Sequence, residues 1–339
     1  MTKIDVIIVT YNGATWIRRN LTSLRESSQL PHVIVVDNAS TDETAQIVRD
    51  EFPEVELIAL QTNSGFGIGN NVGISKSITR GADYTFLFNQ DAYVAPDAIE
   101  KLASFMDQNP DFGVVSPLHC CPDLNSIDRK TCNAYISPFA TPFLCDAAMG
   151  KVEQHYKIRG INAAAWFIRT SVFLKVGGFD PMFFMYGEDD DLINRFDLHG
   201  VGFALLPSSR IVHFNQSAPK KGQPSFWTDV KRKAERERSR LVVRVKDQTY
   251  SYPYMFRILA AEGFLLPVAN VIVTGKWKDL LVTMLATCRV ISEAGAIRKQ
   301  ARLCAQPAAH FLDLSLAKDE PRAVQSAEAE ASSEAAPSR

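Results

Sequence analysis

Four short apolar runs before residue 92, each ending abruptly in polar residues, constrain the fold more than any other feature of this chain. Runs of this length that are rich in β-branched and aromatic residues indicate strands buried on both faces. Apolar residues at helical spacing follow the first run, from Trp16 to Leu24. Strands that alternate with helices in this way predict an α/β fold with a mostly parallel, doubly wound sheet. The four runs are Ile4–Val9, His32–Val36, Val55–Leu60 and Tyr84–Phe88.

The pattern loosens after Asp111, and the composition changes again after Asn215. We expect a sheet domain over 1–217, a C-terminal helical region over 218–316 and a disordered tail over 317–339, which is rich in Ala, Ser and Glu. The mixed charges of Lys231–Arg238 indicate a solvated helix face with i,i+4 ion pairs. Further strands are predicted at 112–115, 163–167, 201–206 and 210–213, and 116–159 has no assignment.

Composition excludes some classes of function. A formal net charge of −1 argues against a nucleic-acid partner, because such proteins carry a basic surface. Four of the six cysteines lie between Cys120 and Cys145, but no C-x-x-C pair occurs, so reduced thiols are favoured over a zinc site. The N-terminus lacks a signal-peptide pattern. Arg257, Glu262 and Pro267 interrupt the apolar segment Met255–Thr274, so no transmembrane helix is predicted.

The acidic end of the fourth run is a candidate metal site. Asn89-Gln90-Asp91 follows the strand directly, and ligands of open α/β sheets bind at the carboxyl ends of the strands. A carboxylate there is a hard oxygen ligand suited to Mg²⁺ or Mn²⁺ bridging a diphosphate. The alternative is an aspartate that caps the following helix.

Polar residues at the ends of the first two strands are candidates for holding a nucleoside. Asp37 and Asp42 can accept hydrogen bonds from a base and a ribose, and the turn Thr10-Tyr11-Asn12 can close over the base. The glycine-rich turn Asn63–Gly73 lies nearby, and its glycines allow a close approach of the helix backbone to a neighbour or a ligand. Ordinary turn chemistry is the alternative for all of these residues.

Four consecutive acids at Glu188–Asp191 suggest a catalytic base. Helix-dipole complementarity explains one or two acids at a helix N-terminus, whereas four together repel one another and raise a pKa into the range of a general base. Asp191 and Arg195 are better interpreted as a structural i,i+4 pair. His213 is either a core histidine or a metal ligand.

The order and spacing of these motifs resemble the family 2 inverting glycosyltransferases of GT-A fold, especially bacterial rhamnosyltransferase-like members. The resemblance implies transfer of a sugar, with rhamnose as a candidate, from a nucleotide-diphosphate donor to a hydroxyl of a cell-surface glycan or lipid-linked acceptor. It covers roughly Ile4 to Ser217 and rests on Val9–Asn12, Val36–Asp42, Asn63–Asn71, Asn89–Asp91, Gly177–Asp180, Glu188–Asp189 and Val212–His213.

The resemblance also implies roles for single residues. Thr10, Asp37 and Asp42 would hold the nucleoside, Asp91 and His213 the divalent metal, and Asp189 would be the base that deprotonates the acceptor. Asn89 stands where a full D-x-D motif has its first acid, which puts tight metal binding in question. The other residues predicted to contact substrate are Tyr11, Asn12, Asn38, Asn63, Gly65, Phe66, Asn70, Asn89, Gln90 and Glu188.

Two other classes remain open from the residues alone. One is a nucleotidyltransferase, which the lack of an early glycine-rich loop with a basic residue disfavours. The other is a non-catalytic nucleotide- or carbohydrate-binding module. We expect a cytoplasmic protein, and the apolar and basic segment 231–302 is either a helical cap on the core or a peripheral contact with the inner face of the cell membrane.

Overall fold

A nine-stranded sheet forms the centre of the protein in a computed structural model that describes residues 2–128, 132, 141–214, 225–247 and 257–315. The predicted tail at 317–339 lies outside the described residues. In chain order, the strands are β1 (Ile4–Thr10), β2 (His32–Asp37), β3 (Glu56–Ala59), β4 (Tyr84–Phe88), β5 (Ala92–Val94), β6 (Phe112–Cys120), β7 (Tyr156–Ile158), β8 (Ala165–Arg169) and β9 (Gly202–His213).

Helices cover both faces of this sheet, and a second group of helices follows it in the chain. The helices of the sheet domain are α1 (Ala14–Arg25), α2 (Thr44–Glu51), α3 (Phe66–Thr79), α4 (Ala98–Gln108), α5 (Thr141–Ala148), α6 (Thr170–Val176) and α7 (Glu188–Leu198). The C-terminal helices are α8 (Phe226–Lys246), a π-helical turn (Ala261–Leu265) that leads into α9 (Leu266–Thr274), α10 (Trp277–Ser292) and α11 (Ala294–Cys304).

The sheet is parallel in its first half and mixed in its second. Its order is β3-β2-β1-β4-β8-β6-β9-β5, with β7 paired to β9 off this path. The strands β1 to β4 are parallel, as predicted, but β8 runs antiparallel to both of its neighbours, and β5 and β7 run antiparallel to β9. Four of the eight described pairings are therefore antiparallel. The apolar pattern could not reveal this, because a strand buried on both faces has the same pattern in either direction.

Alternate residues of the strands face two separate apolar layers, as a doubly wound sheet requires. Val6 and Ile8 of β1 pack into the layer shared with α1, α2 and α4, whereas Ile7 packs into the layer shared with α3, α6 and α7. The segments predicted at 201–206 and 210–213 form the single strand β9, with a register shift opposite Pro117 and Leu118.

The C-terminal helices pack on the sheet domain through a third apolar cluster. Phe183, in the loop before α7, is fully buried against Leu241 and Val242 of α8 and against Val290 of α10. The interpretation of Lys231–Arg238 as a solvated face is only partly right. Its short-range ion pairs form, but Arg238 is buried and pairs with Glu293 of the segment between α10 and α11.

One described helix, Arg257–Thr274, is long and apolar enough to cross a membrane by length and composition. Its mean hydropathy is 1.5 over 18 residues, and 17% of them are buried within the protein. A second span of this kind would need the bent pair α10 and α11, whose axes differ by 66°. The expectation of no such helix is therefore wrong on these two criteria, because Arg257 and Glu262 are too few charges to exclude it.

Candidate active site

The carboxyl ends of β1 and β2 meet at one edge of the sheet and join their polar residues by hydrogen bonds. Thr10 and Asp37 are register partners, and the Thr10 hydroxyl donates to the Asp37 carboxylate over 2.9 Å. Asp37 also accepts from the Ser40 hydroxyl at 2.5 Å, and Ser40 in turn accepts the backbone N–H of Asn12 at 2.9 Å. The predicted nucleoside-binding residues at this edge thus form one hydrogen-bonded network.

Asp42 ties the starts of α1 and α2 together. Its carboxylate accepts the backbone N–H of Ala14 over 3.1 Å and the hydroxyl of Thr44. Burial alone would raise the pKa of Asp42, but these hydrogen bonds lower it below its ordinary value. The carboxylate is therefore charged at neutral pH, and it lies beside the turn that contains Tyr11 and Asn12.

The turn before α3 is fixed by asparagine side chains. The side-chain amide of Asn38 donates to the backbone carbonyl of Gly65 over 3.0 Å, and the side-chain oxygen of Asn63 accepts the Gly65 N–H over 2.9 Å. Gly65 has φ +88, and a Cβ atom there would lie 2.3 Å from the Phe184 carbonyl oxygen, so only glycine fits. Asn70 is buried and donates to the carbonyl of Phe66 over 3.0 Å. The turn thus packs directly against the loop that precedes α7.

Asp91 and His213 lie side by side because β5 pairs with β9. The register Ala92↔His213 brings the Asp91 carboxylate within 3.2 Å of the His213 Nε2 atom. The Asn89 amide lies 3.4 Å from the same nitrogen. Gln90 is turned toward the β1 end, where its side-chain oxygen accepts the N–H of Tyr11 over 3.1 Å.

This pair fits a divalent cation. Two ligands about 2.1 Å from one ion at a right angle are about 3.0 Å apart, close to the observed separation of Asp91 and His213. The Asn89 Oδ1 and His213 Nδ1 atoms are buried without a hydrogen-bond partner among the described residues. No group of three or more His, Cys, Asp or Glu side chains that could hold a metal occurs in the described part of the chain. A cation here would take its remaining ligands from a diphosphate and water, as Mg²⁺ commonly does.

The acids of the first turn of α7 line a separate wall of the site. Glu188 is buried, and burial together with the charge of Asp189 raises the pKa of Glu188 to about 8. Burial also raises the pKa of Asp189, against the hydrogen bonds that it accepts from the N–H groups of Asp190 and Ala163. Asp190 is exposed at the surface, and its pKa is raised to about 6. The pKa values of Glu188 and Asp190 therefore lie on either side of neutral pH, and that of Asp189 is shifted upward, as in sites that exchange protons.

Asp191 has a structural role, as predicted. It pairs with Arg195 over 3.0 Å, and Arg195 also donates to the backbone carbonyls of Val176 and Gly178. Lys246 of α8 completes the cluster at 2.6 Å from Asp191 and 2.7 Å from Asp180. Sequence analysis missed Lys246, because only the tertiary fold brings the end of α8 onto α7.

The base candidate and the metal candidate meet at the carboxyl end of β4. The N–H of Ala163 lies close enough to Asp189 to lower its pKa, and the next residue, Ala164, accepts the N–H of Asn89 over 3.0 Å. The structure thus brings the predicted site residues to one edge of the sheet. The hydrogen-bonded network of Thr10 and Asp37 lies on one side of this edge, and Asp189 lies on the other. Such an arrangement can bind a metal diphosphate beside a carboxylate of raised pKa.

Comparisons with known proteins agree with this arrangement. Residues 5–177 match a family model described as glycosyl transferase family 2, and residues 145–217 match one described as the N-terminal domain of galactosyltransferase. The N-acetylglucosaminyl-diphospho-decaprenol L-rhamnosyltransferase of Mycobacterium tuberculosis is 28% identical over 231 residues, which are 62% of this chain and 75% of that protein. The dTDP-rhamnosyl transferase RfbF of Shigella flexneri is 26% identical over 220 residues, or 62% of this chain and 68% of the relative.

A solved structure shares the fold. The S. aureus TarS structure of residues 1–349 in complex with UDP-GlcNAc has a TM-score of 0.52 and 15% identity to this protein. The superposition covers 89% of this chain and 92% of that one. The predicted GT-A type fold with a helical C-terminal region is confirmed by this likeness together with the family match.

Proposed function

Because the chain belongs to glycosyl transferase family 2, we propose that it is a metal-dependent, inverting hexosyltransferase that uses a nucleotide-diphosphate sugar. Family membership makes it a glycosyltransferase and disfavours the nucleotidyltransferase and the non-catalytic module. The observation that carries the finer proposal is the pairing of Asp91 with His213 just after β4, beside the Ala163–Ala164 backbone that Asp189 approaches. The names of the relatives from M. tuberculosis and S. flexneri support rhamnose as the sugar and a lipid-linked glycan as the acceptor.

On the donor side, we assign the nucleoside to the group around Asp37. Thr10, Asn12 and Asp42 are already oriented by hydrogen bonds within the protein, so little ordering remains to be done on binding. Tyr11 is half exposed above this edge, where its ring can stack on a base.

Asp91 and His213 would hold the divalent cation. When bound, such a cation stabilises the negative charge that develops on a leaving nucleoside diphosphate. The orphaned Asn89 Oδ1 atom faces the same place and can accept a hydrogen bond from water on the ion. An asparagine in place of the first acid of D-x-D therefore remains compatible with metal binding.

Asp189 is assigned the proton transfer. The acceptor hydroxyl oxygen forms a bond to the anomeric carbon as the bond from that carbon to the diphosphate oxygen breaks, and Asp189 takes the hydroxyl proton. A single displacement of this kind inverts the anomeric configuration and needs only one base. Burial serves the step, because a carboxylate of raised pKa is a stronger base than an exposed one.

The C-terminal helices supply a contact with a membrane surface in this proposal. Apolar side chains near the end of the helix Arg257–Thr274 are exposed, with Ile272 at 80%, Val273 at 84% and Trp277 at 71%. An interfacial helix carries apolar and aromatic residues on one side and basic residues nearby. The neighbouring helix α8 has eight basic and three acidic residues, which suits an anionic inner leaflet. We therefore propose a cytoplasmic location, peripheral to the membrane.

Co-sedimentation with liposomes tests the membrane contact. The full chain should bind vesicles that contain anionic lipid at low salt, and the double variant I272D/V273D should bind at least tenfold more weakly, because burial of two apolar side chains is lost. Equal binding of the variant, or no binding while a glycan acceptor is still used, would contradict it.

Calorimetric titration with a panel of nucleotide sugars tests the reaction itself. dTDP-rhamnose should bind more tightly than UDP-GlcNAc, and Mn²⁺ should strengthen that binding. The anomeric configuration of the product, determined by NMR, should be opposite to that of the donor. Retention of configuration would refute the single displacement, and binding that is indifferent to Mn²⁺ would refute the metal.

A further inference from the structure

A second wall of the acceptor side is formed by helix α8. A cavity of about 530 Å³ lies between the first turn of α7 and α8, and Asp189 lines it on one side. Lys233, Arg236 and Arg240 line it on the other. These three cations fall at i, i+3 and i+7, so they occupy one stripe of the helix. The cavity therefore has carboxyl groups on one wall, and on the opposite wall three basic groups together with Glu237.

The basic wall is not fully neutralised by the protein. Lys233 pairs with Asp229 over 3.2 Å, and Arg240 pairs with Glu237 over 2.6 Å and with Glu262 over 2.7 Å. Arg236 has no carboxylate partner among the residues that the structure describes. Its guanidinium lies 4.7 Å from the ring centre of Tyr186, a half-exposed residue held at φ +69. Positive φ is uncommon for an aromatic residue, so the loop holds this ring against Arg236 at a cost in backbone strain.

The basic residues of α8 do not neutralise the acids of α7 across the cavity. Asp190 keeps a pKa raised to about 6 by partial desolvation and by the charge of Asp189, and the cation that opposes this increase is Arg159, which does not belong to α8. A guanidinium that pairs with no nearby carboxylate is suited to an anionic ligand, and its planar donors match a phosphate group.

The basic stripe leads from the acids to the apolar helix. A neighbouring groove of about 460 Å³ shares Arg240 and Glu237 with the cavity and continues past Arg244 to Leu266 and Pro267 at the start of α9. Glu262, which pairs with Arg240, and Asp279 also line this groove. Leu265 and Leu266 are largely exposed there. One ligand that spans the cavity and the groove would meet a carboxylate, then guanidinium groups, then apolar side chains.

We propose that this wall is a phosphate subsite for an amphiphilic acceptor, with the phosphate on Arg236, the apolar chain toward Leu266 and the reacting hydroxyl toward Asp189. The inference rests on the proposed function in one respect, namely that the acids of α7 face the acceptor. Inorganic phosphate has the same kind of charge as the phosphate group of such an acceptor. The groove continues beyond the phosphate position, and this extra length favours a ligand that also has an apolar chain.

Binding of three probes to the full chain tests the subsite without turnover. Farnesyl phosphate, farnesol and inorganic phosphate are titrated in the presence of EDTA, which keeps phosphate away from a metal at Asp91. Farnesyl phosphate should bind more tightly than either of the other two probes. The variant R236Q should lose at least tenfold in affinity for farnesyl phosphate, the loss expected of one charge-assisted hydrogen bond. K231Q is the matched control, since Lys231 is exposed on the same helix outside this stripe, and it should bind as wild type does.

Several results would overturn the subsite. If R236Q and K231Q bind farnesyl phosphate with equal affinity, Arg236 does not contact the phosphate. If inorganic phosphate binds as tightly as farnesyl phosphate, the groove does not bind the apolar chain. Farnesol binding as tightly as farnesyl phosphate, or no binding of farnesyl phosphate to wild type, would also refute it. Titration of dTDP-rhamnose with Mn²⁺ on EDTA-free portions of the same protein preparations separates the two proposals: if the donor binds and farnesyl phosphate does not, the subsite alone fails.

Discussion

Replacing Lys246 by methionine (K246M) should lower the free energy of unfolding by about 3–5 kcal/mol at neutral pH, as expected when one partner of a buried ion pair is removed. Lys246 is 5% exposed, and its ammonium group lies 2.7 Å from Asp180 and 2.6 Å from Asp191. Methionine retains most of the apolar stem, so the loss reports the charge contacts rather than a cavity.

The size of this loss in unfolding free energy depends on the partners that Asp180 and Asp191 retain in K246M. Asp191 still pairs with Arg195 over 3.0 Å, and Asp180 still accepts the Gln300 amide over 3.0 Å. One oxygen of each carboxylate loses its cation, and both side chains are almost fully buried. Burial alone would raise the pKa of Asp191, but the charges of Lys246 and then Arg195 hold it below its ordinary value. The stabilisation by Asp191 is therefore present above its unfolded pKa and is lost as pH falls through the lower folded pKa.

Urea denaturation at pH 7 and at pH 3 measures the effect. K246M should differ from wild type by the stated amount at pH 7 and by clearly less at pH 3, where the carboxylates are being protonated. K231M is the control, because substitution of an exposed residue without special contacts usually changes stability by about 0.5 kcal/mol or less. A loss of less than about 1 kcal/mol for K246M at pH 7, or the same loss in K231M, would show that solvent or rearrangement replaces the lysine, contrary to the value for buried pairs.

Three further predictions concern the site. D189N should lower kcat by about 10²–10⁴-fold with donor affinity near wild type, whereas D191N should lower stability more than turnover; a normal kcat for D189N in steady-state assays would displace the base to another acid. D91A should abolish the effect of Mn²⁺ on donor titration while the thermal midpoint stays near wild type, and an unchanged Mn²⁺ effect would remove Asp91 from the metal. E188Q should stabilise the protein relative to wild type by an amount that grows from pH 5 to pH 8 in denaturant melts, because a folded-state pKa of about 8 makes deprotonation of buried Glu188 costly over that window; a constant difference would contradict the raised pKa.

Much of the sheet domain could be predicted from the sequence, because burial imposes a local pattern. The apolar runs at β1, β2, β3 and β4 match strands to within one or two residues, since residues covered on both faces must be apolar wherever their partners lie. The polar residues at the strand ends were equally informative. Parallel strands end at one edge, so Thr10 and Asp37 had to meet once the strands were parallel.

Several contacts of the site depend on partners far away in the chain. The three-residue strand β5 is too short to leave a pattern, yet its antiparallel pairing with β9 is what sets His213 beside Asp91. The direction of β8 was also invisible, although Ala163, whose N–H lies near Asp189, immediately precedes this strand. Whether two strands pair parallel or antiparallel depends on the length and path of the segments that connect them. The composition within one strand does not encode this.

Helix α8 shows the same division between sequence and fold. Its charges correctly predicted a helix with i,i+4 ion pairs, and i,i+3 pairs form as well, because such pairs depend only on spacing along the chain. Which of its cations are buried, which line the acceptor cavity and which face solvent depends on what packs against the helix. Lys246 and Arg236 look alike in the sequence, but one lies among carboxylates under α7 and the other opens onto a cavity. A side chain's type fixes the interactions it can make, and the tertiary neighbours decide which of them it makes.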